Sequence, residues 1–335
     1  MATEADNIGV LYEIHTIAMN FYRNYLHSAK AKTAWQYLQG RGFTKKTIRE
    51  FALGAASDQW DGLYRYLKRK GFSDDDLLDS GLVANSKNGR YYDRFRSRIM
   101  FPICNIAGQV IGFTGRLYEE TDGQPKYLNS SETAIFKKRD HLYGLHLAAQ
   151  WCCNVLILVE GTMDVIMLNQ ARFCNVAAPL GTALTEEQLQ LISQHTKELI
   201  ICFDGDTVGM AATRKALSMA TNIGLNVRAV TLPYGKDPME LIQKQGADNF
   251  SDLLLSAHKP IAYEIAAAEQ ACPITDDESL IRYLQTAAQI LAKETSALVV
   301  DVHAGTIARK YGISKDVMLS EIKSYRRKFN EKKDS

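Results

Sequence analysis

The sequence is poor in cysteine and has no long apolar run, and these absences exclude several classes of protein. Its six cysteines contain no C-x-x-C pair, so we expect no zinc site and a reduced protein without disulfides. No run approaches the roughly 20 apolar residues of a membrane-spanning helix, and no phosphate-binding G-x-x-x-x-G-K-[ST] loop is present. The first residues are neither basic nor apolar, so we expect no signal peptide and a cytoplasmic protein.

The net charge does not indicate a partner. The 40 basic side chains nearly cancel the 38 acidic ones, so only local clusters of charge can point to a ligand. The hydrophobic share of 46% and the charged share of 23% are typical of globular domains. A chain of 335 residues is long enough for one to three of them.

The two end regions of the chain differ in pattern from its middle. Residues 7–82 carry apolar side chains at helical spacing, while residues 99–103 and 109–113 are short apolar runs typical of a β-hairpin. Pro102 has no N–H to donate, so we expect its strand at a sheet edge. From about residue 258 onward the helical pattern returns.

The middle of the chain alternates between apolar strands and helices. Residues 155–159 and 199–203 are apolar on both faces, as in a parallel sheet that is covered on both sides. The predicted fold class is α/β, with a central, mostly parallel sheet, an N-terminal α+β subdomain and a C-terminal helical subdomain. We place these parts at residues 1–135, 136–255 and 256–335, with the best breaks at 121–124 and 272–275.

Acidic residues follow two strands of the predicted sheet, at the edge where open α/β sheets bind ligands. Glu160 and Asp164 follow the first strand, and Asp204 and Asp206 follow the second. Four carboxylates at one edge repel each other, and Mg²⁺ or Mn²⁺ would offset this repulsion because hard cations take oxygen ligands. Two such ions suit phosphoryl or nucleotidyl transfer. The alternative is that Asp164 and Asp206 only cap helices.

A block of arginines precedes the hairpin. Arg90, Arg94, Arg96 and Arg98 fall within nine residues, and in an extended segment these even positions share one face. Such a row would bind phosphates, and the aromatic residues between them would stack on single-stranded bases. The alternative is a solvated strand edge whose charges prevent aggregation.

Several motifs together resemble a known family. The E-G-x-x-D of residues 160–164 and the D-G-D of residues 204–206 resemble the signature of the Toprim domain, which primases, topoisomerases and some nucleases share. Residues 92–103 resemble the basic motif of bacterial DnaG-type primases, and topoisomerases lack its Y-D-R-F-R block. Further matches to this family follow in order at residues 108–116, 125–130, 142–145, 180–183 and 236–238.

The resemblance implies the RNA polymerase core of a primase, which makes short RNA primers on single-stranded DNA from ribonucleoside triphosphates at a bacterial replication fork. Glu160, Asp204 and Asp206 would be catalytic with support from Asp164, and Asp237 would join the first three in holding two Mg²⁺ or Mn²⁺ ions. The residues expected to bind template or nucleotide are Arg94, Arg96, Arg98, Arg116, Lys126, Tyr127, Asn129 and Lys138.

Two positions depart from the family pattern. Asn105 stands where the family usually has Asp, and Met239 replaces the second acid of its usual D-P-D. The family's zinc ribbon and helicase-binding region are not within these 335 residues, so we expect an excised core whose contact with the replicative helicase lies outside this chain. Two other functions stay open, namely a Toprim nuclease and a non-catalytic module that binds single-stranded DNA.

Overall fold

The computed structural model describes residues 4–331 apart from 121, 152–153 and 182. Thr121, in a predicted break, and Thr182, in the motif of residues 180–183, therefore lie outside the described residues. The helices are α1 Glu4–Leu26, α2 Lys32–Gly40, α3 Lys45–Glu50, α4 Gly62–Arg69, α5 Asp74–Asp79, α6 Leu145–Ala148, α7 Thr162–Gln170, α8 Glu186–Ser193, α9 Thr207–Asn222, α10 Pro238–Leu255, α11 Pro260–Ala271, α12 Asp277–Ala292, α13 Ala297–Tyr311 and α14 Lys315–Glu331. The strands are β1 Gly54–Ala56, β2 Val83–Asn85, β3 Tyr91–Asp93, β4 Arg98–Cys104, β5 Val110–Leu117, β6 Tyr127–Asn129, β7 Val155–Leu158, β8 Val176–Ala177, β9 Glu198–Ile201 and β10 Asn226–Ala229.

The N-terminal region contains an antiparallel sheet in the order β1-β4-β5-β6. β4 and β5 pair over their whole length, which confirms the predicted hairpin, and Asn105 closes its turn by accepting the N–H of Gln109 at 3.0 Å. The expected edge position of Pro102 is wrong, because β4 lies between β1 and β5. β1 reaches only as far as Met100, so the missing N–H of Pro102 costs no bond to that neighbour.

A strand interrupts the region that the sequence predicts as helical. β1 has only three residues, which is too short to show a period of two. A Cβ atom on Gly54 would lie 2.6 Å from the backbone carbonyl carbon of Tyr22 in α1, closer than non-bonded atoms approach. Gly54 therefore lets α1 lie directly against β1 and places this long helix on one face of the antiparallel sheet.

The central sheet is parallel, as predicted, and has the order β10-β9-β7-β8. Its two inner strands, β7 and β9, carry buried apolar side chains on both faces, and α7 and α9 follow them along the chain. Because the strands are parallel, the carboxyl ends of β7, β9 and β10 meet at one edge. This edge receives the segments that begin at residues 159, 202 and 230.

Apolar packing joins the parts of the chain. One continuous core combines Phe101 of β4 with Ile157 of β7, Ile200 of β9 and Phe250 of α10. A separate core lies among α11–α14. The subdomain boundaries at residues 135 and 255 stay a prediction. Among the described residues, no helix combines the length and the apolar character that crossing a membrane requires.

Candidate active site

The carboxyl ends of the parallel strands open into a cleft of about 470 Å³. Four of the predicted acids line it, namely Glu160 after β7, Asp164 in the first turn of α7, Asp204 after β9 and Asp237 before α10. Asp206 does not line the cleft, but its charge is close enough to raise the pKa of Asp204. The structure therefore brings together acids that are up to 77 positions apart in the sequence.

Glu160 and Asp204 are held side by side at the ends of the two inner strands. Oε1 of Glu160 accepts the backbone N–H of Asp204 at 3.0 Å. A Cβ atom on Gly209 would lie 2.7 Å from that same Oε1 and 2.2 Å from the carbonyl oxygen of Asp204. Only glycine at position 209 allows α9 to begin this close to the acids, a requirement that the sequence analysis missed.

Asp164 is the most buried of the acids, at 9% exposure. Its Oδ1 accepts the backbone N–H of Met239 at 3.2 Å, which ties the start of α7 to the start of α10. Burial first, and then the negative charges of Asp237 and Asp204, raise the pKa of Asp164 to about 8. The alternative that Asp164 is the N-cap of its helix is wrong, because Gly161 holds that position and Asp164 lies in the first turn of α7.

Asp206 and Asp237 both cap helices. Oδ1 of Asp206 accepts the N–H of Gly209 at 2.7 Å, and Oδ1 of Asp237 accepts the N–H of Glu240 at 2.6 Å. The carboxylate of Glu240 bonds to Lys236 and Lys244. The capping role that was the alternative for Asp206 is thus present. In both Asp206 and Asp237 the cap occupies one oxygen of the carboxylate.

The acids repel each other as they stand. Burial raises the pKa of Asp204 to about 7, and the charges of Glu160, Asp237 and Asp206 add to the effect. Burial also raises the pKa of Glu160, with a contribution from Asp206. Oδ1 of Asp204 is buried and has no hydrogen-bond partner among the residues that the structure describes. A cation would satisfy this oxygen and offset the repulsion, so the residues fit a divalent metal ion.

The acids are gathered without forming a closed cage. Within the described ranges, no three His, Cys, Asp or Glu side chains are already placed to hold a metal ion. Asp206 and Asp237 each use one carboxylate oxygen to cap a helix, and Glu160 uses one to accept a backbone N–H. Their remaining oxygens are the ones that a metal ion would use.

The cleft also has a cationic and polar wall, formed by β5 and β6. Arg116 and Tyr127 are paired residues of these strands, and the guanidinium of Arg116 donates to the Tyr127 hydroxyl and, at 2.7 Å, to the sulfur of Met163. Asn129 accepts the hydroxyl of Thr114 at 2.6 Å and donates to the carbonyl of Leu180 at 2.9 Å. Lys126, just before β6, is exposed and lines the same cleft.

The last three arginines of the basic block, Arg94, Arg96 and Arg98, do not form one exposed row. Ser97 has a φ of 53°, which breaks the extended conformation that the period of two requires. Arg98 is 1% exposed, and its guanidinium donates to the backbone carbonyls of Gly115, Pro125 and Lys126. The expectation of a continuous phosphate-binding face is therefore wrong, because the N–H donors of Arg98 are already bonded to backbone carbonyls.

Arg94 and Arg96 are half-buried and line a small cavity of about 230 Å³ beside the hairpin. The guanidinium carbon of Arg96 lies 4.1 Å from the ring centroid of Trp60, an exposed aromatic that the sequence analysis did not select. The arrangement keeps a cation and an aromatic face together, as in surfaces that bind single strands.

The remaining predicted residue, Lys138, lies apart from this cleft. It begins a short 3₁₀ turn, Lys138–Asp140, and its carbonyl accepts a hydrogen bond from Gln188. Arg41 and Thr114 also line the cleft, although neither is among the residues predicted from the sequence. Arg41 lies in none of the motifs found in the sequence, whereas Thr114 lies within the motif of residues 108–116, which could have indicated it.

Two family descriptions match most of the chain. Residues 21–149 match the N-terminal domain of the DNA primase catalytic core, and residues 157–242 match a Toprim-like domain. These matches follow each other in the order that the motifs indicate.

Curated relatives agree with them. The DNA primase of Clostridium acetobutylicum is 39% identical over 305 residues, which are 90% of this chain and 50% of the relative. That of Deinococcus radiodurans is 39% identical over 278 residues, or 82% and 48% of the two chains. The chain thus spans about half the length of the curated relatives it matches.

Solved structures share the fold. A DnaG primase catalytic domain bound to single-stranded DNA has a TM-score of 0.72 and 33% identity, with 91% of this chain and 100% of that chain covered. The RNA polymerase domain of Mycobacterium tuberculosis primase, in complex with double-stranded DNA, reaches a TM-score of 0.82 at 30% identity, with 94% and 100% covered. This chain belongs to the DnaG primase family and matches its catalytic core.

Proposed function

We propose that this chain catalyses nucleotidyl transfer and makes short RNA primers on a single-stranded DNA template. The supporting observation is one cleft that combines the carboxylates of Glu160, Asp204 and Asp237 with the cations Arg116 and Lys126. Acids that fit metal ions, next to cations that fit phosphates, are what transfer between nucleotides needs. Relatives named DNA primase favour this function over a nuclease or a simple binding module.

We propose that Glu160, Asp204, Asp206 and Asp237 hold two divalent ions, Mg²⁺ or Mn²⁺. When bound, such ions would neutralise the charge that develops on the phosphates during transfer. Asp164 supports them, because its bond to the N–H of Met239 keeps α7 and α10 in place around the cleft. The side chain of Met239 is buried and supplies no second acid at this end of α10.

The side chains of the chain would then hold and orient the reactants. The 3′-hydroxyl oxygen of one ribonucleotide bonds to the α-phosphorus of the next, and the bond to the β-phosphate oxygen breaks, so that pyrophosphate leaves. Arg116 and Lys126 bind the phosphates, while Tyr127 and Asn129 shape the wall beside them. Glu160 offers its second oxygen as a metal ligand or as the acceptor of the hydroxyl proton.

The template would approach along the basic block and the turn before α6. Arg94 and Arg96, with the exposed ring of Trp60, offer charge for the backbone and an aromatic face for bases. Lys138 adds a cation in the turn before α6, where its carbonyl is bonded to Gln188 of α8. We propose that the protein acts at the replication fork in the bacterial cytoplasm.

Ribonucleotide incorporation on a single-stranded DNA template tests this function. Asp204→Asn keeps the shape and removes one charge, and we expect synthesis to fall a hundredfold or more, equal to about 3 kcal/mol of transition-state stabilisation. Asp252→Asn, an exposed acid of α10 outside the cleft, is the matched control and should keep full synthesis.

The three candidate functions give different products. Incorporation of ribonucleotides supports a primase, cleavage of DNA supports a nuclease, and binding alone supports a module. Near-normal synthesis by Asp204→Asn in Mg²⁺ would contradict the role of the carboxylates.

A further inference from the structure

A cavity of about 640 Å³ lies between α1, the turn after α3, the β4–β5 hairpin and the start of α6. No described residue lines both this cavity and the cleft that holds the acids. β5 passes both spaces, since Val110 at its start lines the cavity and Arg116 near its end lines the cleft. A cavity of this volume is typical of sites for small organic molecules, and a ligand in it would not touch the cleft.

Aromatic side chains line the cavity. The ring centroids of Phe51 and Tyr143 lie 6.4 Å apart, with the ring planes at 18° to each other, and both residues are buried. Tyr12 of α1 also lines the cavity, and its hydroxyl accepts the side-chain amide of Asn105 at 3.5 Å. This bond ties α1 to the hairpin turn, so the walls are joined before any ligand binds. Their apolar faces fit a planar ring.

Tyr143 and His146 bring unpaired polar atoms to the lining of the cavity. The Tyr143 hydroxyl and Nδ1 of His146 are buried and have no hydrogen-bond partner among the described residues. Tyr143 is 2% exposed, and its backbone N–H and C=O bond to Ala178 at 2.8 and 3.1 Å, which fixes its position. Burial lowers the pKa of His146, so its ring is neutral and offers one donor and one acceptor. Buried polar atoms without partners cost free energy, and a hydroxyl group of a ligand would pair with them.

The charge of the lining selects the charge of the ligand. Glu13 and Glu50 line the cavity, and its described lining residues include no lysine or arginine. Glu50 pairs with Lys46 at 3.6 Å, whereas Glu13 has no ion pair within the part of the chain that the structure describes. Phosphates and other anions are therefore disfavoured here, and an ammonium group would be attracted.

We propose that this cavity binds a small aromatic amine that also carries a hydroxyl group. The ring packs on Phe51 and Tyr143, the hydroxyl of the ligand pairs with the Tyr143 hydroxyl and with His146, and the ammonium group faces Glu13. This site goes beyond the proposed function and does not rest on it, because no residue of the cleft takes part.

Tyramine is the probe, because it combines a ring, a hydroxyl and an ammonium group in one small molecule. Its binding to the whole chain is measured by isothermal titration calorimetry, and we expect saturable binding at one site. Two analogues test the charge, since para-ethylphenol lacks the ammonium group and phloretate carries a carboxylate in its place. We expect the neutral analogue to bind about threefold more weakly than tyramine and the anionic analogue about tenfold more weakly.

Tyr143→Phe tests the hydroxyl, because it keeps the ring. We expect tyramine to bind about tenfold more weakly, while the thermal midpoint stays the same or rises, since a buried hydroxyl without a partner is removed. Tyr22→Phe is the matched control. It removes another buried hydroxyl that has no partner among the described residues, and Tyr22 does not line the cavity. This control should bind tyramine like the parent chain.

Glu13→Gln tests the charge. Glu13 is exposed on α1, so the variant should fold like the parent chain. We expect its affinity for tyramine to fall about threefold, with unchanged affinity for para-ethylphenol. The matched control is Glu278→Gln, an exposed acid of α12 outside the cavity, which should leave both affinities unchanged.

Parent-like affinity for tyramine in Tyr143→Phe or in Glu13→Gln would overturn the proposal, and so would the absence of saturable binding. Binding of the ammonium group by the acids of the cleft would overturn it as well, and in that case Asp204→Asn would weaken tyramine binding and ATP would compete with it. We expect neither effect. If Tyr143→Phe does not fold, Glu13→Gln and the two analogues still decide. A parent chain that binds tyramine as expected but makes no RNA would contradict the proposed function alone.

Discussion

Replacing Asp237 with serine separates the two roles that the structure allows for this residue. Its Oδ1 caps α10 by accepting the N–H of Glu240 at 2.6 Å. The same carboxylate lines the cleft and raises the pKa of both Asp164 and Asp204 through its charge. Serine keeps a hydroxyl oxygen for the cap and removes the charge.

The structure sets the expected size of each effect. Serine and aspartate are comparable N-caps, so the change at the cap is within about 0.5 kcal/mol. Loss of a like charge beside Asp164 and Asp204 is neutral or slightly stabilising, so the thermal midpoint should stay within about 2 °C. A metal ligand is a major electrostatic element of such a site, so we expect synthesis to fall about a hundredfold, or about 3 kcal/mol.

The assay combines primer synthesis over a range of Mg²⁺ or Mn²⁺ concentrations with thermal unfolding. Asp237→Ser should need more metal for any remaining synthesis. Asp276→Ser is the matched control, because Asp276 caps α12 by the same type of bond and lies outside the cleft. The control should match the parent chain in synthesis and show the same small change in stability.

One result would refute the reasoning. Full synthesis by Asp237→Ser at low metal concentration would leave the cap as the whole role of Asp237. A fall in synthesis that is matched by a fall in the thermal midpoint would likewise trace the loss to folding.

Three further predictions concern single side chains. Arg96→Gln should lower the salt dependence of single-stranded DNA binding by about one ion, with the thermal midpoint almost unchanged; an unchanged salt slope would contradict a phosphate role. Arg98→Gln should instead lower stability and leave the salt dependence unchanged, because it removes the donor of the carbonyls of Gly115 and Pro125. We expect the free energy of unfolding to fall by about 3 kcal/mol and the thermal midpoint by about 4 °C. His15 is buried, which lowers its pKa from 6.5 to about 4, so the unfolded chain binds more protons between these values and stability falls as the pH drops through that window. His15→Leu should remove about 3 kcal/mol of this loss of stability between pH 7 and pH 4. Denaturant titrations of both chains at the two pH values measure it, and an equal loss in the two chains would refute the prediction.

Local sequence was enough to predict the two inner strands of the parallel sheet and the acids at its edge. β7 and β9 are short apolar runs that end in acidic residues, and parallel strands carry their carboxyl ends to one edge. For that reason Glu160 and Asp204 could be placed together before any contact was known. The motif of residues 92–103 indicated the family for a similar reason, since its residues are adjacent in the chain.

The tertiary structure alone decided which charged side chains face the cleft. Arg98 and Arg96 are two positions apart, yet the first is buried against the backbone of Pro125 and Lys126, and the second lies over the ring of Trp60 at the surface. Arg41 carries no motif, and it reaches the cleft because Gln170 and Gln243 bond its turn to α7 and α10. Spacing along the chain records which residues share a local face, whereas burial and pairing depend on segments far apart in sequence, and these meet only when the chain is folded.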